Sequence, residues 1–405
     1  MKRRLWYAFS ATLLLLGTGC GKATELNELS IATGTGIDGK KGDYSVTYQV
    51  SVASASASAT GSGSGGDSTG VHVFSTFGKT LHEAISMSGV EDPRKIYFAH
   101  NGILVLSKET AEDGITSILD SYFRNPDLRE TAKVLVTQGK ARDILTKNIP
   151  PEKLPGQAIA EIIDKENQFV SFYPATTVFE LALGITSESR AGVVPEIGIS
   201  GENEKELEST KSMSKTAQDA KLRLTGLAIF KGDRYAGKMN LEESMGLSWL
   251  TDRVKNTTLS FPDPKGEENL SAVKIYKAKV KVTPVKGPLH YTVNVRADVS
   301  GELIETTSGE NLDDTAGINQ LKKQIEQVIL AQMEKAWAAT KRLKVDVLGI
   351  GNMIHAHYPK EWQNLKPDWE EEMALMDLNA KVKVNVVRTR LFLNSFEKLL
   401  DRNDE

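Results

Sequence analysis

Cys20 is the single cysteine in 405 residues. Its thiol has no disulfide partner and no fellow thiolate for a zinc site. As a nucleophile it would need a base, and as a metal ligand it would need companions, so the histidines come next. His100, in FAHNGILVL, stands just before an apolar run that reads as a strand, where it could act as a base. No nucleophile motif accompanies it: G-x-S-x-G, S-x-x-K, H-E-x-x-H and the P-loop are missing from the sequence. His355 and His357 would share a face on a strand but diverge on a helix, and no further ligand is identifiable beside them; a polar helix end is the simpler reading. GTGIDG at Gly34–Gly39 fits the dinucleotide pattern G-x-G-x-x-G, whose glycines must open a helix so that its N-terminus meets a pyrophosphate. Here KKGDYSVTYQV follows, a strand, so these glycines read as a hairpin turn. Glu242-Glu243 and Glu370-Glu371-Glu372 read as solvated helix faces. Trp249, Trp337, Trp362 and Trp369 read as packing residues. The inventory names no catalytic residue, no metal site and no cofactor. It describes a non-enzymatic binding or assembly component.

The remaining role for Cys20 comes from what precedes it. Lys2, Arg3 and Arg4 form a positive start, Leu5 to Leu16 is a nearly apolar run, and Gly17, Thr18 and Gly19 are small. That is the layout of a secretory signal peptide over residues 1–19. The run is too short to span a bilayer, which takes about 20 apolar residues, and no later stretch approaches that length. Gly17-Thr18-Gly19-Cys20 is similar to the bacterial lipobox, in which the cysteine sulfur receives a diacylglyceryl group and becomes the first residue of the mature chain. The similarity implies lipidation at Cys20 and anchoring of the body to a membrane. Acyl chains anchor through burial worth about 0.8 kcal/mol per CH₂, and two or more are needed for stable attachment. Removing residues 1–19 takes away three basic residues and leaves 47 basic against 53 acidic, a net −6. A mildly acidic body carries no electrostatic footprint for nucleic acid.

The elements behind these residues fall into two regions. Residues 20–200 read as a mixed α/β domain. Leu29–Thr33 and Tyr44–Val52 are strands, and a strand resumes at Val71. Between them, 54–70 is small and polar and reads as a flexible loop. Helices are expected over Thr80–Ser88, Gly114–Phe123, Lys140–Leu145, Gln157–Phe169 and Thr177–Leu183, with strands at Ile103–Leu106 and Lys133–Thr137. The charged stretch 201–221 reads as a polar linker. Residues 222–405 read as an α+β domain. Asn240 with Glu243 three residues later is a capping-box signature for a helix. Period-two alternation in AVKIYKAKVKV, YTVNVRADV and KVKVNVV gives strands with one buried and one wet face, an antiparallel sheet. Lys274, Lys279, Lys281 and Arg296 fall on wet faces, open to water or a partner. A helix with apolar residues from Ile318 to Val347, over about Thr315–Leu348, would cover the buried face. The fold class is therefore α+β: a mixed α/β N-terminal region, then an antiparallel sheet packed on a long helix.

The order of segments resembles the Ger(x)C family of spore germination lipoproteins. The likeness starts at Cys20 and ELNELSIATGTGID. It continues through FGKTLHEAI, FAHNGILVLSKETAEDGI, LDSYFRNPDLRETAKVLVTQGKARDIL, LTGLAIFKGDRYAGKMNLEESMGLSWL and DVLGIGNMIHAHYPKEW. Membership implies the lipid-anchored C subunit of a nutrient germinant receptor, on the outer face of the inner spore membrane. It also implies two integral membrane partners, the A and B subunits, and no known catalytic site. The alternative is a solute-binding lipoprotein of a membrane transport system, which predicts two similar lobes around a hinge.

Overall fold

A computed structural model describes residues 28–51, 70–263, 266–306 and 315–388. The signal peptide expected over 1–19, Cys20, and nearly all of the loop expected over 54–70 lie outside the described residues. The chain builds two sheets, each with its own helices.

The first sheet holds β1 (Leu29–Lys40), β2 (Asp43–Ser51), β3 (Val71–Gly78), β4 (Lys95–Tyr97), β5 (Ile103–Ser107), β6 (Lys133–Thr137), β7 (Ala191–Gly201), β8 (Ala220–Lys231) and β9 (Arg234–Met239). Their order is β3-β2-β1-β5-β6-β7-β8-β9, with β4 beside the start of β1. The centre, β1-β5-β6-β7, is parallel, and hairpins extend it on both sides. Parallel strands need crossovers, and helices supply them. Leu104, Leu106, Val134 and Val136 face one apolar cluster, while Ile103, Val105 and Leu135 face another. One face is covered by α1 (Leu81–Ser86), α2 (Ser88–Glu91), α3 (Lys108–Asp113), α4 (Thr116–Arg124) and, further on, α7 (Val178–Thr186). The other is covered by α5 (Ala141–Leu145) and α6 (Pro155–Phe169). A sheet buried on both faces explains why β5 and β6 read as unbroken apolar runs rather than alternating ones.

The stretch expected as a linker over 201–221 is a packed turn. β7 and β8 pair from Ala191–Lys231 to Gly201–Ala220 with one register shift at Glu196/Ile197, so the first sheet runs into the expected linker. Between them a 3₁₀ turn, Glu204–Glu208, buries Leu207, and α8 (Lys211–Ser214) follows. Leu207's carbonyl accepts from the Asn148 amide at 2.8 Å and Glu208 accepts from Lys147 at 2.6 Å. The charged composition reflects a surface turn with one apolar peg.

The second sheet has the order β10 (Thr257–Asp263), β11 (Gly266–Lys286), β12 (Tyr291–Glu305), β13 (Asp377–Arg388). β10, β11 and β12 are antiparallel as the alternation implies. β13 runs parallel to β12, because the chain leaves β12, crosses through four helices and returns to the same end. Those helices are α10 (Thr315–Leu343), α11 (Ile350–His357), α12 (Pro359–Leu365) and α13 (Trp369–Leu375); α9 (Leu241–Leu250) joins them from the first half. Leu321, Ile325, Ile329 and Met333 of α10 bury against Val293, Val295, Ala297 and Val299 of β12 in one cluster. α10 ends at Leu343, short of the expected Leu348. Lys344 takes a left-handed backbone (φ 54°), which stops the helix, and Gly349 (φ 73°) starts α11.

Candidate functional site

The two halves meet where the turn between α7 and β7 touches the turn between α10 and α11. Asp346, 2% exposed, sits at the centre. Its Oδ1 accepts from the Ile350 amide at 2.9 Å, and its Oδ2 accepts from the Gly351 amide at 2.7 Å and the Ser189 hydroxyl at 2.7 Å. Ser189 also donates its amide to Asn352 Oδ1 at 3.0 Å and accepts from the Asn352 amide at 3.2 Å. Burial pushes the Asp346 carboxyl above the usual carboxylate range, and the Gly351, Ser189 and Ile350 donors oppose that rise. The aspartate thus caps α11 and ties it to the N-terminal half with the same group.

A second tie lies beside it. Trp362, buried, donates its indole N–H to Glu188 Oε2 at 2.9 Å. Lys366 reaches the same oxygen at 2.7 Å, and His355 Nδ1 lies 3.7 Å from Oε1. Hydrogen bonds from Lys366 and then Trp362 hold the Glu188 carboxyl below its usual range. Trp369 packs edge-on against Trp362, ring centroids 4.8 Å apart. Gly351 is required here, since a Cβ would lie 2.7 Å from the Trp362 ring. A cleft of about 490 Å³ opens over this junction, walled by Arg190 and Lys231 from one half and Lys344, Lys366 and Trp369 from the other. Lys231 closes one side through an ion pair with Glu370. The Ser189 proton is directed at a carboxylate that is itself engaged by two amides. In this arrangement the hydroxyl works as a latch between two halves; no imidazole activates it.

The residues singled out in the sequence scatter. His100, exposed, ends a 3₁₀ turn that buries Phe98, and its ring is edge-on to Tyr97 at 6.1 Å. His355 and His357 sit on α11 and diverge; His355 lies by Glu188 and Trp362, while His357 Nδ1 meets the Met353 carbonyl at 2.8 Å. Among the described residues no group of three or more His, Cys, Asp or Glu side chains could hold a metal. GTGIDG forms the second half of β1. Cβ atoms at Gly34 and Gly36 would come within 3.1 and 2.9 Å of Leu145, so these glycines let α5 lie close on the sheet. Asp38, in the same motif, caps α5 by accepting from the Ala141 and Arg142 amides at 2.7 and 3.1 Å. The motif is strand rather than the expected hairpin turn: Gly39 (φ 83°) pairs with Tyr44, and the turn itself is Lys41–Gly42.

Asn240 and Glu243 form the expected capping box on α9. Glu242 and Glu243 pair with Lys335 and Arg342 of α10, so they are ties as well as a wet face. Glu372 differs from the solvated face expected of it: it accepts from the Tyr291 amide at 3.3 Å, and His290 Nδ1 lies 3.4 Å from it. Trp249 is buried and donates to Gln332 at 2.8 Å. Trp337, Trp362 and Trp369 belong to the same core. Asp346 and Ser189 were not singled out in the sequence. Asp346 preceding a Gly-rich helix start was a capping signal; nothing local marked Ser189 as its partner, 157 residues away.

Residues 22–199 match the family described as the spore germination protein N-terminal domain, and residues 225–390 match the spore germination B3/GerAC-like C-terminal family. Among curated proteins, spore germination protein KC of Bacillus subtilis (strain 168) is 25% identical over 94% of this chain and 95% of its own. Spore germination protein A3 of the same organism is 23% identical over 96% and 97%. The crystal structure of the GerBC protein superposes with a TM-score of 0.53 at 18% identity, covering 87% of this chain and 97% of that one. That likeness is one of fold.

Proposed function

The chain belongs to the GerAC-like spore germination family, and from that premise we propose that it is the lipid-anchored, non-enzymatic C subunit of a nutrient germinant receptor. The observation that carries the reading is its similarity to spore germination proteins over more than nine-tenths of both chains. Cys20 holds the anchor, behind an apolar run that has the form of a signal peptide. The body then lies on the outer face of the inner spore membrane, beside integral membrane A and B subunits. No helix among the described residues is long and apolar enough to cross a membrane, which fits attachment through Cys20.

The Ser189–Asp346 contact is structural: it joins two parts of this chain. The second reading, a solute-binding lipoprotein of a transport system, draws on the junction cleft. It calls for two similar lobes, and a nine-stranded mixed sheet facing a four-stranded one is a poor match.

The test is genetic. Spores lacking this chain should fail to germinate with at least one nutrient. Normal germination with every nutrient tried, in a strain without a paralogue, would sink the receptor reading. The anchor has its own test: after a wash in about 1 M salt, which shortens the Debye length to about 3 Å, a Cys20→Ala protein should leave the membrane fraction.

A further inference from the structure

The second sheet has two faces, and among the described residues only one is covered. α10 packs on the face that carries Val293, Val295, Ala297 and Val299. On the other face, exposed side chains stand in cross-strand rows. Lys281, Arg296 and Lys381 are directly opposite one another on β11, β12 and β13. The next row is Lys279, Asp298 and Lys383. Adjacent strands lie about 4.8 Å apart, so three like charges share one row. Like charges placed directly opposite destabilise a sheet. None of these five cations makes an ion pair among the described residues. A dent of about 340 Å³ opens over the Lys281 row, and Thr283, Asn294 and Asn379 add hydrogen-bonding groups to its wall.

Edge protection accounts for part of this. Lysines on an edge strand discourage pairing with another sheet, and β13 is an edge. β12 is paired on both sides at Arg296, which is outside that explanation, whereas β10 pairs with β11 only as far as Ile275, so Lys279 and Lys281 stand on a stretch of β11 with no described strand on its outer side. The chain's own undescribed segments offer little counter-charge. Residues 389–405 hold Arg390, Lys398 and Arg402 against Glu397, Asp401, Asp404 and Glu405. Glu310, Asp313 and Asp314 come after the end of β12 at Glu305 in sequence, and that end lies about 30 Å along the strand from Arg296 at about 3.3 Å per residue. The body as a whole is acidic, so this concentration of positive charge is local.

We infer that the open face of β11, β12 and β13 docks on a membrane surface of anionic phospholipid headgroups, with Lys281, Arg296 and Lys381 receiving phosphate. This rests on the lipid-anchored reading for the choice of a membrane over other anionic surfaces. An acyl anchor combined with a basic patch is a recognised pair of attachment signals, and each Lys or Arg near an anionic leaflet contributes about 1 kcal/mol. The anchor supplies proximity, and the sheet face orients the body on the leaflet.

The experiment uses residues 21–405, which contain every described element and lack the anchor, so the result is independent of Cys20. Sedimentation with vesicles of phosphatidylglycerol and phosphatidylcholine is compared with phosphatidylcholine alone. Binding is expected only to the anionic vesicles, at about 0.01 M salt but not at about 1 M, where the Debye length falls from about 30 to about 3 Å. The triple variant Lys281→Gln, Arg296→Gln, Lys381→Gln should bind about a hundredfold more weakly and melt no lower than the wild type, since it relieves repulsion. Asp298→Asn should bind more tightly, which keeps the inference testable should the triple variant misfold. Equal binding to both vesicle types, or undiminished binding by a folded triple variant, overturns the inference. So does binding to inorganic polyphosphate or polyglutamate without binding to vesicles.

Discussion

Replacing Asp346 with alanine tests the latch most directly. Three donors lose their acceptor: the Ile350 and Gly351 amides and the Ser189 hydroxyl. The hydroxyl can rotate toward another acceptor. The two amides cannot, because they are fixed at the first turn of α11, and Ile350 and Gly351 are buried. A buried donor left without a partner costs about 1–3 kcal/mol, so two of them predict a loss of about 2–6 kcal/mol. Asp346→Asn retains one acceptor oxygen and should lose about half as much. Urea unfolding followed by tryptophan fluorescence reads this, since Trp362 lies on the second tie across the same junction. The expected result is a lower midpoint for alanine, with asparagine between alanine and wild type. If the latch also couples the halves, the alanine variant's transition should broaden or split. An alanine variant within about 0.5 kcal/mol of wild type, the range of an ordinary surface change, would refute the reasoning.

Three further outcomes follow from other contacts. Gly246→Ala should destabilise despite favouring helix by about 1 kcal/mol, because its Cβ would fall 1.9 Å from the Gln332 carbonyl oxygen of α10, and overpacking costs about 1–3 kcal/mol or more; a raised melting temperature would contradict this. Glu166 is pushed up to about 7 by burial, against hydrogen bonds from the Phe172 and Tyr173 amides. Its raised value means its stabilising contribution is full below the ordinary carboxylate range and is lost as pH climbs through about 7. Melting temperature should therefore drop from acid to mildly alkaline pH more steeply in the wild type than in Glu166→Gln, and parallel profiles would exclude it. Asn240→Ala removes the cap of α9 and should cost about 1 kcal/mol by chemical denaturation; no change would show that the cap is redundant with the α9–α10 ion pairs.

Local patterns made much of the architecture legible. The alternation in β11 and β12 follows from a sheet with one wet face. The spacing of Leu321, Ile325 and Ile329 follows from one helix lying on it, and the Asn240–Glu243 cap needs only four residues to be recognised. GTGIDG is followed by a strand, β2, rather than by a helix, as the residues after it imply. The charged stretch 201–221 misled, because composition reports solvent exposure and cannot report that β7 and β8 pair on either side of it. The direction of β13 was likewise hidden: alternation records which face is buried and is the same for a parallel or antiparallel neighbour.

What the sequence supplied by itself is therefore of two kinds: the periodic elements, and the signal-like start from which an anchor at Cys20 is proposed. Both depend on residues close together in the chain. The tertiary structure alone decided the rest. Ser189 meets Asp346 across 157 residues, and Lys281, Arg296 and Lys381 form one row although they come from three strands. A side chain's own neighbours in sequence set its local conformation. Its partners, and therefore its electrostatics, are set by register and crossover, which exist only once the sheets have formed.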